Sequence, residues 1–351
     1  MNIPQIKTRF RPLNDMLYMG YVPDVINTAM ELGLFDALAE EPMDARHLAA
    51  KLGTIENLTE TFANTLVALK LLEKSGDEYS LAPMAAEFLV KSSPAYQGGM
   101  IAMTLKFGQV MSQMSHILKS GPVRSPEAEA DMWLNIDAMK SMGQGVMGGS
   151  IQEVTEFITS LPEFPNLRHM CDLAGGHGFY TMALLDKNPQ LRGTIVDLPK
   201  VAELAKELVS EMGYGDRIGT IGADFETNDP IGEGYDLVLA SHVLYVWKGH
   251  LEDILKKINK AMVPGGVFVS NHLSMAGDEC GPVSEMMVEL MTQLGGYPTH
   301  YLSEGELKKA LEASGFGDFT VRPAEEGRQY RSLILAARKL KRGAKNVKQI
   351  R

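Results

Sequence analysis

The chain has 351 residues, room for roughly two domains of ordinary size. Hydrophobic residues make up 45% and charged residues 22%, the balance of a globular protein, and the net charge of -10 argues against nucleic acid or an anionic membrane as a partner. No stretch reaches the roughly 18 apolar residues that span a bilayer, the first residues lack the apolar core of a signal peptide, and two cysteines, Cys171 and Cys280, predict no disulfide framework and a reducing, cytoplasmic setting.

Residues 20–95 read as a compact helical unit with a small hairpin. Val25, Ile26, Ala29, Met30 and Leu32, then Leu66, Leu69 and Leu72, recur at helical spacing. Residues 47–53 predict a short helix ended by Gly53. Residues 71–83 predict a helix end, a turn at Gly76-Asp77 and a strand. This is a winged helix-turn-helix pattern. Twelve acidic residues stand against five basic ones in this stretch, seven net negative charges. A DNA reader needs a basic stripe, so a structural or dimerisation module is the expectation.

Residues 98–165 are rich in Met and Gly and predict a helical bridge. Met100, Met103, Phe107, Met111 and Met114 form an apolar stripe expected to be core. From residue 166 strands and helices alternate, which predicts a doubly wound α/β domain over 166–337. Its fourth strand, YDLVLASHVLY, is apolar on both faces, as in a buried parallel strand. Ligands in such sheets bind beyond the carboxyl ends of the strands. A tail, 338–351, carries seven basic residues and no acidic one and predicts a solvated end.

The chemical signal begins at Asp172-Leu173-Ala174-Gly175-Gly176-His177-Gly178, after the first strand. Glycines there let the backbone approach a ligand and turn sharply into a helix. Asp197 ends the second strand nineteen residues beyond Gly178, the spacing at which an acid meets ribose hydroxyls. A dinucleotide enzyme would want a third glycine where Thr181 stands. A ligand with a ribose and no pyrophosphate fits better.

The segments MCDLAGGHG, IVDLP, IGADFE, HVLYVW, VPGGVF and LEASGF, in this order, resemble the plant-type and acetylserotonin-type small-molecule O-methyltransferase family, and the resemblance spans nearly the whole chain. It implies a Rossmann-like methyltransferase sheet behind an N-terminal all-helical winged-helix dimerisation domain (residues 1–97), with S-adenosylmethionine as cofactor and a homodimer. It implies that Ala174, Gly175, Gly176 and Gly178 surround the methionine part of the cofactor. Asp197, followed by Leu198, would take the ribose, and Asp224 with Phe225 the adenine. Ser241 stands where many members have lysine.

The departures concern catalysis. Where the family has its basic histidine, in the sequence HDW, this chain has Tyr245-Val246-Trp247. Asn271 and residues 295–300, GGYPTH, replace positions that hold carboxylates. Tyrosine at this place resembles the bacteriochlorophyllide C-20 methyltransferases, which methylate carbon. A free phenol has a pKa of about 10 and is a poor base at neutral pH. His272 and His300 could substitute. His242, three residues before Tyr245, is expected on the opposite side by strand alternation. The expectation is methyl transfer to a hydroxyl of a planar, apolar small molecule. Tyr245, His272 and His300 are the catalytic candidates, and Met139, Trp247, Met287 and Met291 shape the acceptor pocket. No metal, nucleic acid or membrane is expected. Alternatives are C-methylation of a conjugated ring, a diverged member that keeps the cofactor without methyl transfer (as some resembling anthracycline hydroxylases do), and a winged-helix regulator.

Overall fold

The computed structural model describes residues 3–122, 134–227, 229–274, 282–323 and 332–341, the side chains of 107–110 aside. Contacts divide the chain into two compact units, Met1–Phe107 and Gly108–Arg351.

The first unit is built from helices Arg11–Met19 (α1), Val22–Glu31 (α2), Leu34–Glu40 (α3), Ala45–Leu52 (α4), Glu56–Ala68 (α5) and Pro83–Phe88 (α6). Asp44 caps α4 by accepting the His47 N–H at 2.8 Å, and Gly53 ends it in a left-handed turn, as its place after the apolar run requires. The unit is not all-helical. Strands Met43–Asp44 (β1), Leu72–Ser75 (β2) and Glu78–Leu81 (β3) form an antiparallel sheet in the order β1-β3-β2. Residues 72–74, expected to end a helix, are strand because the Gly76-Asp77 turn pairs Leu72 with Leu81 and buries Leu72. Leu34, Phe35, Leu48, Leu66 and Tyr79 make the core of this unit, and the Tyr79 hydroxyl donates to Asn64 Oδ1 at 2.9 Å.

Helices Gly98–Ser112 (α7) and Met114–Ser120 (α8) follow. Met100, Met103, Met111 and Met114, expected as core, are only half-buried there, while the Phe107 side chain lies outside the described residues.

The second unit holds a seven-stranded sheet among the described residues. Its strands are His169–Leu173 (β4), Arg192–Asp197 (β5), Ile218–Gly222 (β6), Tyr235–Ser241 (β7), Met262–Leu273 (β8), Phe316–Arg322 (β9) and Ser332–Lys339 (β10). They lie in the order β6-β5-β4-β7-β8-β10-β9, parallel except for β10, which runs antiparallel to both neighbours. The order reverses at β4, and a crevice opens beyond the carboxyl ends there. Helices Ile136–Met147 (α9), Ser150–Thr159 (α10), Phe179–Lys187 (α11), Pro199–Glu211 (α12), Leu251–Ala261 (α13), Val283–Leu294 (α14) and Glu304–Ala313 (α15) accompany it.

Two apolar clusters cover the two faces of the sheet. One joins Val238, Ala240 and Phe268 to α13 and α15; the other joins Leu237, Leu239 and Val269 to α10 and α11. Along α13, Leu251, Ile254, Leu255, Ile258 and Ala261 recur every three or four residues and all are buried. Each of the leucines and isoleucines contributes about 1.5–3 kcal/mol on burial. The basic run at the C-terminus begins inside β10. Arg338 grips Glu163 with two bonds of 2.9 and 3.1 Å, and Lys339 donates to the Asn259 and Met262 carbonyls. Residues 342–351 lie outside the described residues.

Candidate functional site

Four strand tips and the loops after them carry the candidate residues. β4 ends at Leu173, and the Ala174 N–H still bonds the Val196 carbonyl at 2.7 Å. Ala174 then takes φ +52, a left-handed conformation that costs an alanine roughly 1–2 kcal/mol. A Cβ on Gly175 would stand 2.6 Å from the Asp172 carboxyl carbon. Gly178 opens α11 at φ +70, where a Cβ would stand 2.5 Å from Ile195 Cδ1. The loop is glycine-rich because it folds flat against Asp172 and β5.

Asp197 binds this loop from the tip of β5. Its Oδ2 accepts the Gly176 N–H at 3.0 Å and its Oδ1 the Leu198 N–H at 2.8 Å. Burial still outweighs these bonds and pushes its pKa up to about 6. Asp172, 1% exposed, accepts the Thr181 hydroxyl at 2.8 Å, and burial pushes it up to about 7. Among the described residues no Lys or Arg forms an ion pair with either acid. Two buried, uncompensated carboxylates behind a glycine loop suit a cationic ligand with hydroxyls to share. S-adenosylmethionine has both features.

Beyond β6, Asp224 is half-buried and its Oδ1 accepts the Glu226 N–H at 2.9 Å. Phe225 is buried and meets Trp247 edge-on at 5.3 Å between ring centres. Trp247, 4% exposed, therefore packs beside the Phe225 ring, and Leu198 leaves nearly half its surface open. Ser241 Oγ accepts from Asn271 Nδ2 at 2.9 Å across the β7–β8 ladder. The Asn271 Oδ1 is buried and finds no partner. A groove of about 530 Å³ lined by Arg168, Arg192 and Arg217 lies at the amino ends of β4–β6, the end a parallel sheet does not use for ligands.

The fourth strand is shorter than expected. It stops at Ser241 because His242 takes φ +51, and Leu244–His250 is a 3-10 segment. Strand alternation thus ceases, and His242 and Tyr245 do not diverge. Both face His300. The Tyr245 ring stacks on the His300 ring at 4.2 Å and 24°, and His242 stands 5.7 Å from His300. Tyr297 meets Tyr245 edge-on at 6.1 Å. Burial and Tyr297 push the Tyr245 phenol up to about 12, so it stays protonated. Burial pushes His300 down to about 4, against the opposing pull of Glu289, so its ring is neutral at pH 7. His300 Nδ1 lies 3.2 Å from the Thr292 hydroxyl.

His272 sits behind this pair on β8. It is 1% exposed, its Nδ1 lies 2.7 Å from Ser270 Oγ, and burial pushes it down to about 4. Met287 and Met291 lie on α14, the first 39% exposed and the second half-buried. Met139 is fully buried against Val201 and Leu208 of α12, among core side chains that leave it no face for an acceptor. Sequence reasoning missed Glu289, a buried acid on α14 that holds the His300 segment. Its signal is one charge among Met286, Met287, Val288, Leu290 and Met291.

The O-methyltransferase domain family matches residues 137–317, and the O-methyltransferase dimerisation domain matches residues 15–91. A 3-hydroxy-5-methyl-1-naphthoate 3-O-methyltransferase of Streptomyces sahachiroi is 29% identical over 320 residues, 90% of this chain and 92% of that protein. An N,N-dimethyltransferase, OxyT, of Streptomyces rimosus is 29% identical over 318 residues, covering 86% and 88%. Human N-acetylserotonin methyltransferase, solved in complex with SAM, shares the fold with a TM-score of 0.78 at 24% identity, covering 97% of this chain and 100% of that one.

Proposed function

The chain belongs to the O-methyltransferase family and is an S-adenosylmethionine-dependent methyltransferase, and from that premise we propose that it methylates an acidic hydroxyl on a planar arene, with His300 taking the proton and Tyr245 holding the ring. The observation that carries this reading is the neutral His300 ring stacked at 4.2 Å on Tyr245.

Bound S-adenosylmethionine supplies an electrophilic methyl on a sulfonium, which leaves as a neutral thioether. Asp172 and Asp197 offset the positive charge, and the flat glycine loop keeps water from it. With Nδ1 donating to Thr292 Oγ1, His300 keeps its Nε2 lone pair for the acceptor O–H. A base held near pKa 4 cannot strip an ordinary phenol, so the acceptor hydroxyl is already acidic, as in a hydroxyquinone. Tyr245, kept protonated, donates a hydrogen bond to the acceptor and offers a flat ring beside it. Met287 and Met291, on the same helix as Thr292 and Glu289, would adapt to a flat apolar acceptor. The naphthoate relative supports an aromatic acceptor. A homodimer in the cytoplasm belongs to the same proposal. The matched dimerisation domain and the exposed Phe10, Leu13, Met16 and Leu17 support the dimer, and the buried free thiol of Cys171 supports the compartment.

The test is methyl transfer from labelled S-adenosylmethionine to a panel of hydroxyarenes, with the product position read by NMR. Tyr245→Phe should cut turnover roughly tenfold, the worth of one hydrogen bond, and His300→Ala more, with cofactor affinity unchanged in both. Label found on ring carbon, or full turnover in His300→Ala, would refute the reading.

A further inference from the structure

We propose that Glu289 is a positioning residue for methyl transfer: from α14 it holds the His300 backbone so that the imidazole stays stacked on Tyr245, and it acts only through His300. The inference rests on the reading that His300 takes the proton.

Glu289 is 8% exposed, on a helix whose neighbouring residues are apolar. A buried carboxylate is costly unless its oxygens are used. No Lys or Arg pairs with it among the described residues. Both oxygens are instead spent on the segment that ends at His300. Oε1 accepts from the Thr299 hydroxyl at 2.8 Å and from Gln293 Nε2 at 2.6 Å, and Oε2 accepts the His300 N–H at 2.7 Å. Thr299 Oγ1 in turn accepts the Tyr301 N–H at 3.1 Å. Glu289, eleven residues upstream, thus holds the loop at Thr299 and at the His300 N–H, and Thr299 in turn holds it beyond the His300 Cα at Tyr301. A helix that only needed packing would carry leucine here.

The arrangement is also electrostatic. His300 is faced by Tyr245 from the 3-10 segment, His242 from beyond β7, His272 from β8, and Thr292 and Glu289 from α14. Burial holds both neighbouring histidines low, and Glu289 pulls the His300 imidazole the other way, toward its protonated form. Glu289 therefore makes His300 a better base than burial alone would leave it.

The experiment is a mutant cycle on the full-length protein, with labelled S-adenosylmethionine and a hydroxynaphthoquinone as the acceptor probe, joined to an imidazole NMR titration assigned with His300→Ala. Glu289→Gln should lower kcat at least tenfold while cofactor affinity stays within twofold. In a His300→Ala background the same change should cost nothing more. The His300 titration midpoint should fall in Glu289→Gln, because the anion that raised it is gone. Thr299→Val, which removes one of the three bonds, should show a smaller loss of the same kind if Glu289→Gln folds poorly. Equal losses in both backgrounds, or an unmoved midpoint, would overturn the proposal. Full turnover in His300→Ala would instead remove the reading beneath it, and the midpoint would still judge the Glu289–His300 link.

Discussion

Asp197 is a carboxylate with a part in the fold and a proposed part in holding the cofactor. It closes the glycine loop with two backbone bonds and remains buried, with no Lys or Arg paired to it among the described residues. Its pKa is raised from 3.8 to about 6, so between those values the native chain binds more protons than the unfolded one. Stability without ligand therefore declines as pH rises through that window. Ligand binding should run the other way, because a sulfonium prefers the ionised acid. We expect the dissociation constant for S-adenosylmethionine, measured by calorimetry, to rise as pH falls from 7 to 5. Asp197→Ala should weaken binding by about 1.5–3 kcal/mol at pH 7, the range for a bond to a charged group, and reduce that pH dependence to the part that Asp172, held near 7, contributes. Binding unchanged at both pH values would remove Asp197 from the site. Asp197 was readable from spacing alone. Glu289 was not, because an acid between Val288 and Leu290 has meaning only once the loop that it holds is seen.

The β4-to-α11 turn is where backbone geometry is most demanding. Gly178 combines φ +70 with no room for a side chain, since a Cβ there would stand 2.5 Å from Ile195 Cδ1. Gly178→Ala should therefore destabilise the protein by about 1–3 kcal/mol. Ala174 bears the same left-handed cost without relief, at φ +52. Ala174→Gly should raise the melting temperature by a few degrees. Differential scanning calorimetry distinguishes the two, and a fall with Ala174→Gly would contradict the strain argument. The alternating elements from residue 166 were legible because Gly, Pro or Asp marks strand ends such as those of β5 and β6, and helices such as α12 and α13 carry a regular apolar stripe. The end of β7 was not legible. HVLY continues the apolar strand pattern, yet the ladder stops at Ser241 and His242 turns left-handed, which carries Tyr245 to the ring of His300.

At the scale of the molecule, the exposed face of α1 bears on assembly. Phe10, Leu13, Met16, Leu17, Tyr18 and Met19 are all more than half exposed in the single chain. Contiguous apolar surface of this kind marks an interface. Sedimentation at micromolar concentration should show a dimer, and Leu17→Asp with Tyr18→Asp should shift it to monomer without melting the second unit. A wild-type monomer would rule out the homodimer. Among the described residues no helix is long and apolar enough to cross a membrane.

Local pattern was enough for the parallel sheet, the glycine loop and the acid at the tip of β5, because these follow from periodicity, turn chemistry and short spacing along one chain. The pairing of Tyr245 with His300 was not available in that way. Tyr245 and His300 are fifty-five residues apart, and their contact depends on a strand that ends early and a loop clasped by Glu289. Met139 makes the converse point: a methionine at a plausible position became core because α12 packs over it. Pattern reports which residues face inward, whereas only packing reports which of them meet.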